Sequence, residues 1–190
     1  MTTVLFVTHP EVVFNPAVPV PSWHLSQRGI ERMRSFAGSD TVARVSRIVA
    51  SGECKAIEAA GILAGRPGLP VEVHHGLGEN DRSATGFVPP HIFEQLADAF
   101  FARPSESVAG WETALSAQAR VVAAVEDVLA GPLRGDVAIV SHGAVGTLLA
   151  CHLAGWPIDR RHDQPGQGHW FAFEAADRRL LGTWAPITPR

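Results

Sequence analysis

The sequence predicts an α/β domain with three layers, in which helices cover both faces of a largely parallel central sheet. Short runs of β-branched and apolar residues alternate with stretches of helical periodicity over most of the chain. Its 190 residues are 46% hydrophobic, which suffices for the core of one domain over 1–190. Two of the apolar runs, Val4–Val7 and Val137–Val140, lead into a histidine. Because ligands collect at the carboxyl ends of strands in such sheets, the two histidines are expected to share one crevice.

The first strand is predicted over Thr2–Thr8, which is rich in β-branched and aromatic residues. Four prolines in the segment Pro10–His24 argue against regular structure and predict a stiff loop that lines the crevice. Ser26 then has the chemistry of a helix N-cap, and apolar residues follow it at helical spacing.

The middle of the chain continues the alternation. Val45–Ala50 and Val71–Val73 are predicted strands, with a helix between them that opens at Ser51-Gly52. A polar segment without periodicity, 76–83, is followed by a helix that starts at Pro89-Pro90 and by a longer helix over Val108–Leu129. We expect the region of about 76–130 to lie over the strand ends as a helical lid.

The last third begins with the strand Val137–Ser141 and a helix that runs to about Leu153. Trp170–Phe173 and Leu180–Trp184 then predict a closing β-hairpin, because a short polar turn joins two apolar runs.

Composition excludes several classes of function. The net charge of −3 provides no basic surface, so neither nucleic acid nor an anionic membrane is an expected partner. Cys54 and Cys151 show no metal-ligand spacing, which favours a reduced, cytoplasmic protein. The first apolar run has the length of a strand and lacks a basic flank, so it does not resemble a signal or spanning segment.

Familiar cofactor and nucleophile motifs are missing. There is no GxGxxG after a strand, no GxxxxGK[ST] and no GxSxG. Neither cysteine has an arginine six residues later, as a cysteine phosphatase requires. His74 and His75 are adjacent on a strand and therefore point to opposite faces, which argues against a metal site there. No metal or cofactor is expected.

The remaining polar groups suit phosphoryl transfer. A neutral imidazole is a competent nucleophile towards phosphorus. Phosphoryl oxygens need fixed positive charge and N–H donors, which Lys55, a protonated His142 and the helix starts at Gly52 and Gly143 are expected to supply. The leaving alkoxide needs a proton, for which Glu79 and Asp81 are both candidates.

Several landmarks occur in an order that resembles the histidine phosphatase superfamily, with its phosphoglycerate mutase-like fold. They are His9 after the first strand, Leu25-Ser26-x-x-Gly29, Ser51-x-x-x-Lys55-Ala56, Glu79 in a mid-chain loop and Ser141-His142-Gly143. The resemblance implies that His9 is the phosphorylated nucleophile, His142 the second histidine of the phosphate pocket and Glu79 the proton donor. The expected phosphate-binding residues are Lys55, Arg82, Ser51, Gly143 and Thr8.

The chain departs from the family pattern at the nucleophile. Thr8-His9-Pro10 stands where the family has Arg-His-Gly, so an arginine and one backbone N–H are lost. Lys55 stands where the family has an arginine, and it replaces a bidentate fork with a point charge. Arg82, three residues after Glu79, is predicted to substitute for the missing cation.

The expected function is that of a metal-independent phosphatase acting through a phosphohistidine on a small phosphate ester or phosphoprotein. The alternative is a regulatory protein of weak or no activity that binds a phosphorylated ligand. A phosphoglycerate-type mutase fits less well, since it needs a more cationic pocket. The expected partner is a small phosphorylated substrate or phosphate ion, and the sequence is also compatible with a homodimer.

Overall fold

The computed structural model describes residues 2–188. Its strands are β1 Thr3–Thr8, β2 Val45–Ala50, β3 Val71–Val73, β4 Asp136–Ser141, β5 His169–Glu174 and β6 Ala185–Pro186. Its α-helices are α1 Gln27–Ala37, α2 Cys54–Gly65, α3 Pro90–Ala102, α4 Ala114–Leu129 and α5 Gly143–Ala154. Short 3-10 turns occupy Val20–Ser22, Asp40–Val42, His75–Leu77 and Arg160–His162.

The strands form one sheet in the order β3-β2-β4-β1-β5-β6. The pairs among β1 to β4 are parallel, and β5 runs antiparallel to β1. The register pairs Thr8 with Ser141, so the two strands that precede the histidines are neighbours and end at the same level. The prediction of a largely parallel sheet is confirmed, with antiparallel pairing confined to the β5 side.

Successive side chains of β1 point to opposite faces of the sheet, and each face is covered by helices. Val4 and Phe6 pack with α4 and α5 on one face, whereas Leu5 and Val7 pack with α1 and α2 on the other. A strand whose side chains are buried on both faces is typical of a sheet covered by helices on both sides. The predicted α/β fold with three layers is therefore confirmed.

The Leu-Ser-x-x-Gly segment attaches α1 to the loop after β1. Ser26 caps α1, since its hydroxyl accepts the Gly29 N–H at 3.1 Å. A Cβ at Gly29 would lie 2.3 Å from the Glu11 carbonyl oxygen, so only glycine lets the helix approach this loop. The motif thus holds the segment that follows His9.

The longer helix predicted over Val108–Leu129 starts later than expected. Gly110 has a φ of 80°, which interrupts helical geometry, and Thr113 caps α4 by accepting the Ser116 N–H at 3.1 Å. Val121 and Val125 of α4 belong to the same core cluster as Phe6 of the sheet. The α4 part of the predicted lid is therefore a core helix. Because Phe100 and Phe101 anchor α3 to the same cluster, the lid remains a prediction only for the rest of 76–113.

The predicted closing hairpin is also partly wrong. Its first strand is present as β5, but the strand that pairs with β5 at the sheet edge is β6, not Leu180–Trp184. Leu180 makes only an isolated bridge to Phe173. Across residues 2–188, no helix combines the length and the apolar character needed to cross a bilayer.

Candidate active site

Three strands bring the predicted site residues together. His9, Ser51 and His142 directly follow β1, β2 and β4, which are neighbours in the sheet. The imidazole centroids of His9 and His142 are 5.3 Å apart, with an interplanar angle of 65°. The His9 N–H donates to the Ser141 carbonyl at 3.1 Å, which joins the two strand ends. The predicted meeting of the two histidines is present in the structure.

His9 is held in one orientation by its own backbone neighbour. Its Nδ1 lies 2.9 Å from the Pro10 carbonyl oxygen. Because a carbonyl only accepts, Nδ1 carries the proton of the neutral ring and Nε2 keeps its lone pair. Burial lowers the pKa of His9 to about 4, although the hydrogen bond to Pro10 opposes the shift. His9 is therefore neutral at pH 7, with Nε2 available as a nucleophile.

His142 is completely buried and only partly satisfied. Its Nε2 lies 2.6 Å from Ser51 Oγ and 3.3 Å from Glu53 Oε1. Its Nδ1 has no hydrogen-bond partner among residues 2–188. Burial lowers the pKa of His142 well below 6.5, and the Glu53 carboxylate opposes that shift. A buried polar atom without a partner is costly, so this position is suited to a ligand.

Glu53 is a central residue that sequence reasoning missed. One carboxylate oxygen pairs with the Lys55 ammonium, and the other accepts the Glu79 N–H at 3.0 Å beside His142. Burial alone would raise the pKa of Glu53, but His142 and Lys55 hold it at about 2. The sequence shows only that an acidic residue lies between Ser51 and Lys55. Spacing alone does not tell whether its side chain points into the site or into solvent.

Lys55 reaches the site, but its charge is compensated. The side chain is buried, and its ammonium pairs with Glu53 and donates to the Val20 carbonyl at 2.9 Å. Its charge nevertheless lowers the pKa of His9. Lys55 therefore lies close enough to act on a phosphoryl group at His9, but an anion there has to compete with Glu53 for it.

Glu79 caps the helix that follows His142. Its Oε2 accepts the Ala144 N–H at 3.2 Å, and its Oε1 accepts the Val145 N–H at 3.1 Å. The helix start predicted at Gly143 as a phosphate site is thus already capped by a carboxylate of the chain itself. Burial raises the pKa of Glu79 above its ordinary value.

Asp81, the rival proton donor, lies in a different environment. Its side chain is exposed and accepts the Ser83 N–H at 2.8 Å. This hydrogen bond lowers the pKa of Asp81. A carboxyl group with a lowered pKa is already ionised at neutral pH and has no proton to donate. The surroundings therefore favour Glu79 over Asp81 as the proton donor.

Arg82 lies near both histidines and near the Glu79 carboxylate, with which it forms no ion pair among the described residues. Its guanidinium stacks on Phe93, 5.0 Å from the ring centroid, and on Trp111 at 5.7 Å. Its charge contributes to lowering the pKa of His9 and His142, after the larger effect of burial. Within residues 2–188 the guanidinium makes no side-chain hydrogen bond or ion pair. Of the two cations whose charges act on the imidazoles, Lys55 is paired with Glu53, so Arg82 is the one more open to an anionic ligand.

Thr8 does not fit the phosphate-binding role expected of it. Its hydroxyl is fully buried, donates to Gln164 Oε1 at 2.7 Å and accepts the His169 N–H at 3.0 Å. The Gln164 side chain also packs on Gly143, where an added Cβ would lie 2.4 Å from Nε2. The hydroxyl is thus already satisfied inside the fold. Across the described part of the chain, no three His, Cys, Asp or Glu side chains are grouped as for a metal ion.

Solved structures with a similar fold include several phosphatases. A mycobacterial glucosyl-3-phosphoglycerate phosphatase with inorganic phosphate is 20% identical, with 98% of this chain and 99% of that chain covered and a TM-score of 0.77. Bacillus stearothermophilus YhfR is 18% identical, with 99% and 100% covered and a TM-score of 0.79. A phosphoserine phosphatase mutant from Entamoeba histolytica, in complex with phosphoserine, is 18% identical, with 96% of both chains covered and a TM-score of 0.75.

At these identities the solved structures establish the fold alone. No match to the chain was found among curated proteins. The family model of the histidine phosphatase superfamily, branch 1, matches residues 4–179, a span that includes His9, Glu79 and His142. The chain therefore belongs to the histidine phosphatase superfamily, branch 1.

Proposed function

We propose that the protein is a metal-independent phosphatase that hydrolyses a small phosphate monoester through a phosphohistidine at His9. The observation that carries this proposal is the state of His9, which is neutral, fixed through Nδ1 and opposed to the unsatisfied His142. Family membership supports the same class of reaction.

The reaction consists of two transfers. His9 Nε2 attacks phosphorus, the ester P–O bond breaks, and the leaving oxygen takes a proton from Glu79. Water then attacks the phosphohistidine, the P–N bond breaks, and the Glu79 carboxylate takes the proton of that water. The raised pKa of Glu79 suits both steps, because the group has to hold a proton first and accept one later.

Arg82 and His142 are the groups best placed to stabilise charge on the phosphoryl oxygens. Arg82 forms no ion pair with a carboxylate among the described residues, although its charge lowers the pKa of Glu79. The unpartnered Nδ1 of His142 can donate when the Ser51 hydroxyl donates to Nε2. The Lys55 ammonium adds positive charge, although it is paired with the Glu53 carboxylate. This arrangement assigns to Arg82 the task of the arginine that Thr8 replaces.

A second candidate is a protein that binds a phosphorylated ligand and turns it over slowly or not at all. Two donors expected to hold phosphate, Lys55 and the start of α5, are engaged by Glu53 and Glu79. These two carboxylates repel a phosphate dianion that enters the site, which lowers the affinity of the protein for it. The same arrangement disfavours a mutase, which has to retain its phosphorylated intermediate.

Release of phosphate from a generic aryl phosphate, with and without EDTA, separates the candidates. The phosphatase hydrolyses it equally with the chelator, His9→Ala abolishes the activity, and His91→Ala, at an exposed histidine of α3, retains it. No hydrolysis by the wild type, together with a melting temperature raised by vanadate, supports the binding protein. Hydrolysis that survives in His9→Ala contradicts the phosphohistidine mechanism.

A further inference from the structure

Three aromatic side chains form a cluster in the loops around the site, which we call the mouth triad: Phe14, Trp23 and Phe87. Trp23 is buried, and its ring packs edge-on against Phe14, with centroids 5.3 Å apart, and in a tilted arrangement against Phe87 at 5.6 Å. The indole N–H donates to the Asn15 carbonyl at 2.8 Å, which fixes the ring. Phe14 remains 64% exposed and Phe87 39% exposed. The triad is therefore a preorganised aromatic surface with two open faces.

The first loop of the triad is attached to the candidate site through hydrogen bonds. It starts at Pro10, directly after His9. The Val20 carbonyl accepts hydrogen bonds from the backbone N–H of Trp23 at 3.2 Å and from the Lys55 ammonium at 2.9 Å. Lys55 pairs with Glu53, which contacts His142. A short series of direct contacts thus leads from Trp23 to the imidazole pair.

The second loop connects to the same site from the other side. A turn in which the Gly86 N–H donates to the Arg82 carbonyl at 2.9 Å separates Arg82 from Phe87. The charge of Arg82 acts on both imidazoles. Because Trp23 and Phe87 are in contact, the loop after His9 and the loop after Glu79 meet at the triad. The triad therefore joins the two loops that lead away from the candidate site.

The chemistry of the first loop indicates what it accommodates. Residues 12–23 contain no charged side chain. Val13 and Val18 are exposed in the same loop, at 53% and 37%. Other large exposed apolar residues, such as Leu115 and Leu181, belong to other segments of the chain. Clustered apolar exposure next to a polar site is typical of a ligand-binding surface, whereas scattered exposure is ordinary.

We propose that the mouth triad is the leaving-group site of this phosphatase and selects phosphate monoesters of aryl or branched-alkyl alcohols over charged esters. The inference rests on the proposed function and specifies its substrate class. An aromatic or branched group covers the exposed faces of Phe14 and Phe87 while its phosphoryl group reaches His9. A charged amino acid or sugar acid finds no partner among residues 12–23.

Two aryl esters with similar leaving groups but different apolar areas, phenyl phosphate and 1-naphthyl phosphate, test the proposal, with O-phosphoserine as the charged ester. We expect the wild type to prefer 1-naphthyl phosphate through a lower KM. Phe14→Ala combined with Phe87→Ala should reduce that preference roughly tenfold and leave inhibition by vanadate unchanged. Leu115→Ala combined with Leu181→Ala, two exposed apolar residues elsewhere, is the matched control and should keep the preference.

Dissociation constants of the same esters, measured by calorimetry on His9→Ala, test the triad even if turnover is absent. Preferential binding of 1-naphthyl phosphate that depends on Phe14 and Phe87 supports the triad, whatever the outcome for catalysis. Equal affinities, or a preference that survives the double substitution, overturn it. A change confined to oligomeric state or to cosedimentation with lipid vesicles also overturns it, because the surface then serves a second copy or a membrane.

Discussion

Two carboxylates lie beside the same pair of histidines, yet their pKa values move in opposite directions. Glu53 faces the Lys55 ammonium and His142, which hold its pKa at about 2 against the effect of burial. At Glu79 burial is again the largest effect and raises the pKa; the Arg82 charge and the backbone N–H groups at the start of α5 oppose it, and the Glu53 carboxylate adds to it. Burial is common to both, so the neighbouring charges decide which one keeps a proton: Glu53 is ion-paired with an ammonium, whereas at Glu79 the effect of a cation is offset by a second carboxylate. Glu53 is suited to holding the site together and Glu79 to proton transfer.

Among substitutions around the two histidines, Glu79→Gln should cause the greatest loss of activity. A glutamine keeps one of the two acceptor oxygens at the start of α5 but cannot deliver a proton, so kcat for an alkyl phosphate should fall about 10²- to 10⁴-fold. The loss should be smaller for an aryl phosphate, whose leaving group needs less protonation. Asp81→Asn is the matched control, and a loss there as large as in Glu79→Gln would transfer the role of proton donor to Asp81.

Arg82→Ala should have the next largest effect. Removing this cation, which forms no ion pair among the described residues, should lower kcat/KM about 10²- to 10³-fold and weaken inhibition by vanadate. Arg103→Ala, at an arginine paired with Glu106 after α3, serves as the control and should retain activity. Unchanged turnover and vanadate affinity in Arg82→Ala would remove Arg82 from the site.

Glu53→Gln tests whether the Glu53 carboxylate stabilises the fold. It leaves the buried Lys55 ammonium without its counter-charge, so the free energy of unfolding in urea should fall by about 3 kcal/mol. Combining it with Lys55→Met removes the unpaired charge and should restore much of that stability. An unchanged free energy of unfolding in Glu53→Gln would mean that the Lys55–Glu53 pair does not stabilise the fold.

The pH dependence of kcat/KM tests the protonation states assigned to His9 and Glu79. Activity requires a neutral His9, so it should decline as pH falls through about 4. It also requires a protonated Glu79, so it should decline as pH rises through the elevated pKa of that group. The residual activity of Glu79→Gln should lose the alkaline decline and keep the acidic one. A wild-type profile without any alkaline decline would contradict the assignment of Glu79.

Much of the fold was predictable because it follows from local patterns. The strand predicted over Val45–Ala50 has the bounds of β2, and Ser26 caps α1 as expected. The start of α4 was missed because a positive φ at Gly110 interrupts the helical pattern without altering its apolar spacing. The closing hairpin was misplaced because apolar character alone did not show which segment pairs with β5.

The position of the candidate site was predictable from the sequence, but the partners of its side chains were less so. Strand ends placed His9 and His142 correctly, since parallel neighbours end at one edge of the sheet. The partners of Thr8 and Glu79 depend on side-chain directions between segments far apart in the chain, such as the bond of Thr8 to Gln164. Glu53 was missed for the same reason, because a carboxylate in a first helical turn is equally suited to pointing into solvent.

In the proposed mechanism, His9 carries the phosphoryl group during turnover. The most direct test is to mix the protein with an aryl phosphate, quench it within the first turnovers at alkaline pH and locate any added phosphoryl group by mass spectrometry. We predict one acid-labile phosphoryl group on His9, present in His91→Ala and absent in His9→Ala. A phosphoryl group on another residue, or steady hydrolysis by His9→Ala, would contradict the account.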